Sequence, residues 1–329
     1  MIINPKAGSV NAHLIKEKIS TALFRCDLQF YLVSPIKPVE DFISQEINCK
    51  TNVFVVCGGD GTINFTLQAL LKLNNKTSDL PAFCLIKSGT ANDLAHQMGV
   101  SYKIERAARQ ILEGRHQAID ILEVISQNEK KYMLTNGGIG IPAMAAERAN
   151  QLRHILQGLA KNQYEKNLSY LFSNLAYKVI KKIGSKIYSI ILIQSILKWR
   201  AKNWQFEIGL SNGARIVTDA EFILINNQPI TGQKYVTAPY TVNNDGLVNL
   251  LLIQASSVLA QLLVFFKVAT ESLKESKKVK SFETSGFNIR SLHSSNRFSF
   301  FGDGEILFKD IAEVQVNCLK RQLNLVVSE

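Results

Sequence analysis

Three short stretches carry side chains that could do chemistry. The first is Gly58-Gly59-Asp60-Gly61-Thr62, where the apolar run Asn52–Cys57 stops at a glycine-rich turn. Glycines there let backbone N–H groups approach an anion, and the start of a following helix adds a favourable dipole. An equally local reading makes it a tight turn with Asp60 as the N-cap of that helix. The second stretch, Lys87-Ser88-Gly89-Thr90-Ala91-Asn92-Asp93-Leu94, repeats the theme after another apolar run, Ala82–Ile86. The third is Gly302-Asp303-Gly304-Glu305, which local rules read as a hairpin turn between Arg297–Phe301 and Ile306–Phe308. Two further carboxylates stand apart: Asp120 within Ala118–Val124, and Asp245 in the turn Asn244-Asp245-Gly246.

The elements around these stretches suggest how they are positioned. Met1–Ile3, Leu28–Val33, Asn52–Cys57 and Ala82–Ile86 read as strands. They alternate with helical patterns at Leu14–Leu23, Val39–Ile43, Ile63–Leu73 and Ile104–Leu112, the last closed by Gly114. Such alternation predicts a doubly wound, mainly parallel α/β sheet, which binds ligands beyond the carboxyl ends of its strands. Both glycine-rich turns fall at that edge, each with one aspartate, and this favours an anion site over a helix cap. Beyond Gln117 the texture becomes mostly antiparallel β, with strands expected at Ala118–Val124, Lys131–Asn136, Phe206–Leu210, Ala220–Ile225, Gly246–Ile253 and Arg297–Phe301. The strand-like tail Glu313–Val327 is free to pair with either part. The expected division is an N-terminal domain over 1–122, to which a tail of about 310–329 returns, and a β-rich domain over 123–309.

A basic helical segment over 143–204 interrupts the second domain. From Arg153 to Lys202 only Glu165 opposes its many cations. Within it, Ile187–Leu197 is apolar and flanked by Lys186 and by Lys198-Trp199-Arg200, a pattern suited to a membrane interface. Ser257–Val268 reads as an ordinary packed helix. The chain has 329 residues, 46% hydrophobic, with a net charge of +11, which favours an anionic partner. Nucleic acid is disfavoured because the cations follow an apolar helix and do not interleave with stacking aromatics. Five scattered cysteines without C-x-x-C spacing predict neither disulfides nor a zinc site, and fit a reducing cytosol. No secretory leader is expected from Met1-Ile2-Ile3-Asn4-Pro5, and no apolar run reaches membrane-spanning length.

In order, Asn4-Pro5-Lys6-Ala7-Gly8, the two glycine-rich turns, Ile119-Asp120, Ala238-Pro239 with Asn244-Asp245-Gly246, and Gly302-Asp303-Gly304-Glu305 make the chain resemble the diacylglycerol kinase catalytic-domain family. The G-G-D-G-T motif is shared with phosphofructokinases and NAD kinases; G-T-A-N-D and D-G-E narrow it. The resemblance implies a phosphofructokinase-like nucleotide domain, a β-rich second domain, and Mg²⁺-dependent transfer from ATP to a lipid hydroxyl of diacylglycerol or sphingoid type. It implies ATP contacts from Asn4, Gly8, Gly58, Gly59, Asp60, Gly61, Thr62, Gly89, Thr90 and Asn92, with Lys6 adding charge. Asp60, Asp93 and Asp120 would hold Mg²⁺ directly or through water. Asp303 would be the general base with Glu305 assisting, and Asp60 is the rival base. Asp245 with the carbonyls of Val242 and Leu247 would bind a structural metal, the alternative being a plain turn. Lys87 and His96 depart from the family pattern, and Lys87 is the candidate replacement for a phosphate-contacting cation. A cytoplasmic protein follows, bound peripherally to an anionic membrane through 153–202, with a homo-oligomer left open. The competing expectations are a catalytically silent membrane-bound nucleotide or lipid binder and a soluble NAD-kinase-like enzyme.

Overall fold

A computed structural model of the chain describes all residues except 6, 8–10, 35, 74–79, 90–91, 102, 162–185, 199–203, 233–234, 256, 271–277, 294–295 and 328–329. The N-terminal part runs β1 (Ile2–Ile3), α1 (Ala12–Ala22), β2 (Tyr31–Leu32), α2 (Val39–Asn48), β3 (Val53–Gly58), α3 (Asp60–Leu73), β4 (Ala82–Lys87), α4 (Asp93–Gln97) and α5 (Ile104–Glu113). Its strands are parallel in the order β2-β1-β3-β4. Successive side chains of a strand point to opposite faces, and the core divides accordingly. Ile3, Val55, Cys57 and Ile86 pack with Ile15, Ile19, Ala107 and Ala108 of α1 and α5. Ile2, Phe54, Val56 and Leu85 pack with Ile43, Leu67, Leu70 and Leu94 of α2, α3 and α4. Burial on both faces explains why these strands read as unbroken apolar runs.

The connection from β2 to β3 passes over β1, so the winding reverses between β1 and β3. That is the switch point at which open α/β sheets form a ligand crevice, and Asn4 and Gly58 stand at the carboxyl ends of those strands. β2 is shorter than the Leu28–Val33 strand expected, because β1 offers it only Ile2 and Ile3 as partners.

The remainder comprises β5 (Arg115–Ser126), β6 (Glu129–Met133), β7 (Asn136–Gly140), α6 (Ile141–Lys161), α7 (Lys186–Leu197), β8 (Phe206–Leu210), β9 (Arg215–Thr218), β10 (Phe222–Asn226), β11 (Ile230–Thr231), β12 (Tyr235–Val236), β13 (Val248–Ile253), α8 (Val258–Ala269), β14 (Val279–Thr284), β15 (Gly286–Ser291), β16 (Phe298–Gly302), β17 (Glu305–Ile311) and β18 (Glu313–Val327). An antiparallel sheet runs β14-β13-β10-β7-β16-β17 and shares one core with β8, β15 and β18. β18 pairs antiparallel with β5 and β15, then ends in parallel register with β4, Leu325 against Phe83. The last strand therefore joins the two parts in one hydrogen-bonded sheet.

The single strand expected over Lys131–Asn136 is two strands, β6 and β7. They part at Leu134 and Thr135, whose N–H groups leave the ladder to bind a side chain described below. Of the basic segment, α6 and α7 are described; residues 162–185 and 199–203, with Lys166, Lys178, Lys181, Lys182, Arg200 and Lys202, lie outside the described residues.

Candidate functional site

The first glycine-rich turn carries the chain from β3 directly into α3. Thr62 and Ile63 both donate their N–H groups to the Gly59 carbonyl, at 2.9 and 3.1 Å, so the helix begins within the turn. Asn4 leaves β1 alongside: its N–H donates to the Cys57 carbonyl at 2.9 Å and its side-chain amide to Thr62 Oγ1 at 2.9 Å. The second turn lies directly against the first. A methyl group on Gly89 would overlap the Gly59 Cα, and Ser88 N–H donates to the Gly58 carbonyl at 3.2 Å. Buried Asn92 adopts a left-handed backbone (φ +54°) and closes its loop on Gly89, accepting from its N–H at 2.9 Å and donating to its carbonyl at 2.8 Å. Lys6, Gly8 and Thr90 lie outside the described residues.

Asp60 does cap a helix, but not its own. It is the first residue of α3, and its carboxylate accepts from Asp93 N–H at 3.0 Å and Leu94 N–H at 3.3 Å, covering the start of α4. Burial, then the negative charges of Asp93 and Asp303, raise its pKa to about 7. Asp93 in turn accepts from Gly232 N–H at 2.7 Å, a contact to the β-rich domain. Lys87 ends β4 opposite Gly58, where burial lowers the pKa of its ammonium group, while His96 is exposed.

Asp303 and Gly304 form the two-residue loop between β16 and β17, with φ values of +53° and +78°. Two left-handed residues in sequence are the signature of the hairpin turn that Asp-Gly favours. The hairpin brings the Asp303 carboxylate into a buried junction between the domains. It accepts from Asn64 Nδ2 of α3 at 2.7 Å, Leu134 N–H at 3.0 Å, Thr135 N–H at 2.8 Å and Thr135 Oγ1 at 2.7 Å. Burial nevertheless raises its pKa, outweighing those donors. Glu305 accepts from Asn150 Nδ2 of α6 at 2.9 Å, and a methyl group on Gly61 would lie 3.3 Å from Glu305 Oε1. Both glycine-rich turns and the Asp303–Glu305 hairpin thus meet at one place.

Two expected site residues lie elsewhere. Asp120 is fully buried, accepting from Gly246 N–H and Arg321 N–H, each at 2.7 Å. Strand register explains its absence from the turns: His116 is level with Cys84, three residues short of Lys87, and Asp120 lies four residues farther from that edge. At roughly 3.3 Å per residue this separation exceeds 20 Å. Asp245 is exposed and accepts from Leu247 N–H at 2.9 Å, closing a turn in which Val242 and Leu247 are also exposed. Among the described residues no group of three or more His, Cys, Asp or Glu is arranged to ligate a metal ion. The hard oxygens of Asp60 and Asp93, with Asp303 near enough to repel Asp60, instead fit a divalent ion that keeps much of its water.

Asn64, Thr135, Asn150 and Gly232 belong to this site and were not singled out from the sequence. Only Asn64 left a signal, as a polar residue beside the apolar stripe of α3. The others come to the site through long-range pairing.

Residues 1–124 match the family model of the diacylglycerol kinase catalytic domain, and residues 170–327 match that of the YegS C-terminal NAD kinase beta sandwich-like domain. A probable lipid kinase YegS-like protein of Stenotrophomonas maltophilia (strain K279a) is 31% identical over 123 residues, 37% of this chain and 40% of that protein. A YegS-like relative from Yersinia enterocolitica is likewise matched over 38% of its length, less than half. The probable lipid kinase YegS of Shigella flexneri is 25% identical over 266 residues, 81% of this chain and 75% of that protein. In fold, the chain is similar to the crystal structure of a putative diacylglycerol kinase from Bacillus anthracis str. Sterne, with a TM-score of 0.71 at 19% identity, covering 99% of this chain and 96% of that one. Yeast NADH kinase is more distant, with a TM-score of 0.52 at 12% identity over 100% of this chain and 82% of that one.

Proposed function

We propose that the chain, whose residues 1–124 match the diacylglycerol kinase catalytic domain, is a kinase of that kind and transfers the γ-phosphoryl group of ATP to a lipid hydroxyl at a membrane surface. The observation that carries this reading is the junction of Asp60 and Asp93 from the first domain with Asp303 and Glu305 from the second. It is tied across the domains by Asn64–Asp303 and Gly232–Asp93. Phosphoryl transfer needs positioning and charge neutralisation more than covalent help, and these parts supply both.

In this proposal the phosphates lie on the start of α3, over Gly58, Gly59, Gly61 and Thr62, with Asn4 orienting Thr62 from β1. Gly89 and Asn92 support that turn from behind, with Gly8, Thr90 and Lys6 completing the ATP contacts. Asp60 and Asp93 are the residues that would hold hydrated Mg²⁺, which supplies neutralisation of phosphate charge. Asp303 accepts the proton of the lipid hydroxyl as that oxygen bonds to the γ-phosphorus and the bond to ADP breaks. Its four donors already occupy about as many lone-pair sites as a carboxylate has. Thr135 Oγ1, which rotates freely about its own bond, is the donor that yields to the incoming hydroxyl. The raised pKa of Asp303 favours taking that proton. Glu305, held by Asn150, faces the glycine turn and orients the acceptor.

The similarity to probable lipid kinases supports a lipid acceptor, the basic segment 153–202 supports an anionic membrane from the cytoplasmic side, and among the described residues no helix is long and apolar enough to cross a membrane. The test is transfer of labelled γ-phosphate from ATP to a panel of diacylglycerol and sphingoid lipids in mixed micelles, with NAD and soluble sugars as controls. A labelled lipid product that depends on Mg²⁺ is expected. Label appearing only in NAD would transfer the assignment to the NAD-kinase-like reading, and ATP binding without any product would leave a silent binder.

A further inference from the structure

The sequence reads Ser257–Val268 as an ordinary packed helix, but α8 is packed on one side only. Ala260, Gln261 and Val264 are buried, whereas Leu259, Leu263 and Phe266 are 69%, 55% and 64% exposed. The spacing i, i+4, i+7 places those three side chains on a single stripe. α7 packs beside α8 and repeats the pattern, with Ile191, Ser195 and Ile196 buried and Ile190 and Leu197 exposed one heptad apart. Two adjacent helices thus turn large apolar side chains outward, a full stripe on α8 and, on α7, Ile190 and Leu197 with exposed Gln194 between them, and such exposure marks an interaction surface.

Charge decides what covers this face. Neither Lys186–Lys198 nor Ser257–Thr270 contains a single Asp or Glu. Lys198 follows α7 and is exposed, and Lys267 lies in the last turn of α8. Exposed Lys278 accepts from Gln254 N–H at 3.0 Å through its carbonyl, which brings the start of β14, with exposed Lys280, near the start of α8. Apolar stripes on helices that carry lysines and no carboxylate of their own, on a chain of net charge +11, complement an anionic lipid surface, and exposed Asp219 nearby is engaged by the side-chain amide of Gln254 at 2.6 Å. They fit a second copy of the same positive face poorly, because its charges would repel.

We infer that the outer faces of α7 and α8 together seat the protein on an anionic bilayer, Leu259, Leu263 and Phe266 entering the acyl boundary and the lysines pairing with lipid headgroups. The seat is one loop from the site. Tyr235 of β12 hydrogen-bonds through its hydroxyl to Ser189 of α7 and lies 5.8 Å from the Phe265 ring of α8. Gly232, at the other end of that loop, donates to Asp93. The inference rests on the reading of a membrane-resident acceptor, and its test is made without phosphoryl transfer, so either can fail alone.

The test is flotation of the full chain with phosphatidylcholine vesicles, with and without phosphatidylglycerol, in the absence of ATP. Binding should require phosphatidylglycerol and fall several-fold when salt is raised to about 0.5 M. The triple variant Leu259→Gln, Leu263→Gln, Phe266→Gln changes side chains that are already exposed, so its thermal melt stays close to that of the parent. Its vesicle partitioning should fall by about tenfold or more. Lys198→Gln and Lys267→Gln should each lower partitioning by about fivefold. Undiminished flotation of the triple variant would overturn the inference. So would light scattering that shows a parent dimer which the triple variant dissociates, because a second copy would then cover the face.

Discussion

The side-chain amide of Asn64 donates to Asp303 Oδ2 at 2.7 Å across 239 residues of sequence. Asn64 lies one helical turn beyond Asp60 on α3, so the carboxylate of the glycine turn and the carboxylate of the hairpin are held in register by one rigid element. The same amide donates to the Tyr132 carbonyl at 2.8 Å, and Gln68, one turn farther on, donates there too at 2.6 Å. α3 is therefore both the floor proposed for the phosphates and the clamp on the proposed base.

Removing that clamp should separate chemistry from nucleotide binding. Asn64→Ala leaves the buried Asp303 carboxylate one donor short, which costs about 1–3 kcal/mol in folding stability by urea titration. With the base misplaced, kcat should fall by about 10–100-fold while KM for ATP stays within about threefold. A rise in the ATP KM as large as the fall in kcat would instead mean that the glycine turn itself had deformed.

The pKa of Asp60 makes pH a second probe. The folded value of about 7 lies above the ordinary 3.8, so between those values the folded state holds a proton that the unfolded chain has released. Stability of the free protein should therefore decline as pH rises from about 4 to about 7 and level off above, with the raised pKa of Asp303 adding in the same direction. Cation binding prefers ionised Asp60, so Mg²⁺·ATP affinity should move oppositely. It should weaken by up to about tenfold per pH unit below 7 and reach a plateau above. Thermal melts and calorimetry across that range check both limbs, and a flat binding profile would remove Asp60 from the metal site.

The contact between the glycine turns predicts a backbone-level failure. Gly89→Ala sets a methyl group against the Gly59 Cα, where no side chain can move aside. The variant should lose about 1–3 kcal/mol in stability, and ATP affinity should drop by about tenfold or more as the first turn is displaced. Gly99→Ala is the control: its φ of +65° carries strain of about 1 kcal/mol, but nothing lies within 4 Å and ATP affinity should hold.

The sequence revealed those parts of the fold whose physics is local. β3, β4 and α3 announce themselves because a strand buried on both faces must be apolar throughout, and β18 because its burial alternates. β14 and β15 stayed hidden: Lys280, Glu283, Asn288 and Arg290 make them look like polar loops, and only their partners β13 and β18 make them strands. At the site, glycine-rich turns and the Asp303-Gly304 hairpin were legible because backbone geometry restricts which residues can stand there. Thr135 was not, since its role comes from a break between β6 and β7 that only Asp303, far away in sequence, explains. Asp120 was misplaced for a related reason. A strand aspartate near a motif reads as a site residue until register shows which end of the sheet it occupies.

The charge of Asp303 should matter more than its shape. Asp303→Asn keeps a residue that tolerates φ near +53° but turns an amide NH2 toward buried donors, so stability should fall by about 1–3 kcal/mol while the ATP affinity of the folded protein persists. Turnover should fall by about a thousandfold or more, because an amide cannot accept the hydroxyl proton. A variant that remains fully active would pass the role of base to Asp60.

Asp120 offers the complementary test, of a carboxylate that the fold needs and the proposed chemistry does not. Its two oxygens satisfy Gly246 N–H and Arg321 N–H where β18 departs from regular pairing with β5 between Leu319 and Leu323. Asp120→Ala orphans both donors inside a fully buried pocket, so stability should fall by about 2–4 kcal/mol. Below the melting transition, however, Mg²⁺·ATP affinity and kcat should stay within about twofold of the parent, since the strand register sets Asp120 well away from the sheet edge that carries Gly58 and Lys87. Calorimetric titration at low temperature makes the comparison on folded protein. A selective loss of Mg²⁺ affinity there would return Asp120 to the metal site; an unchanged affinity in a destabilised protein would identify it as the carboxylate that fastens β18 and the 243–246 turn to β5.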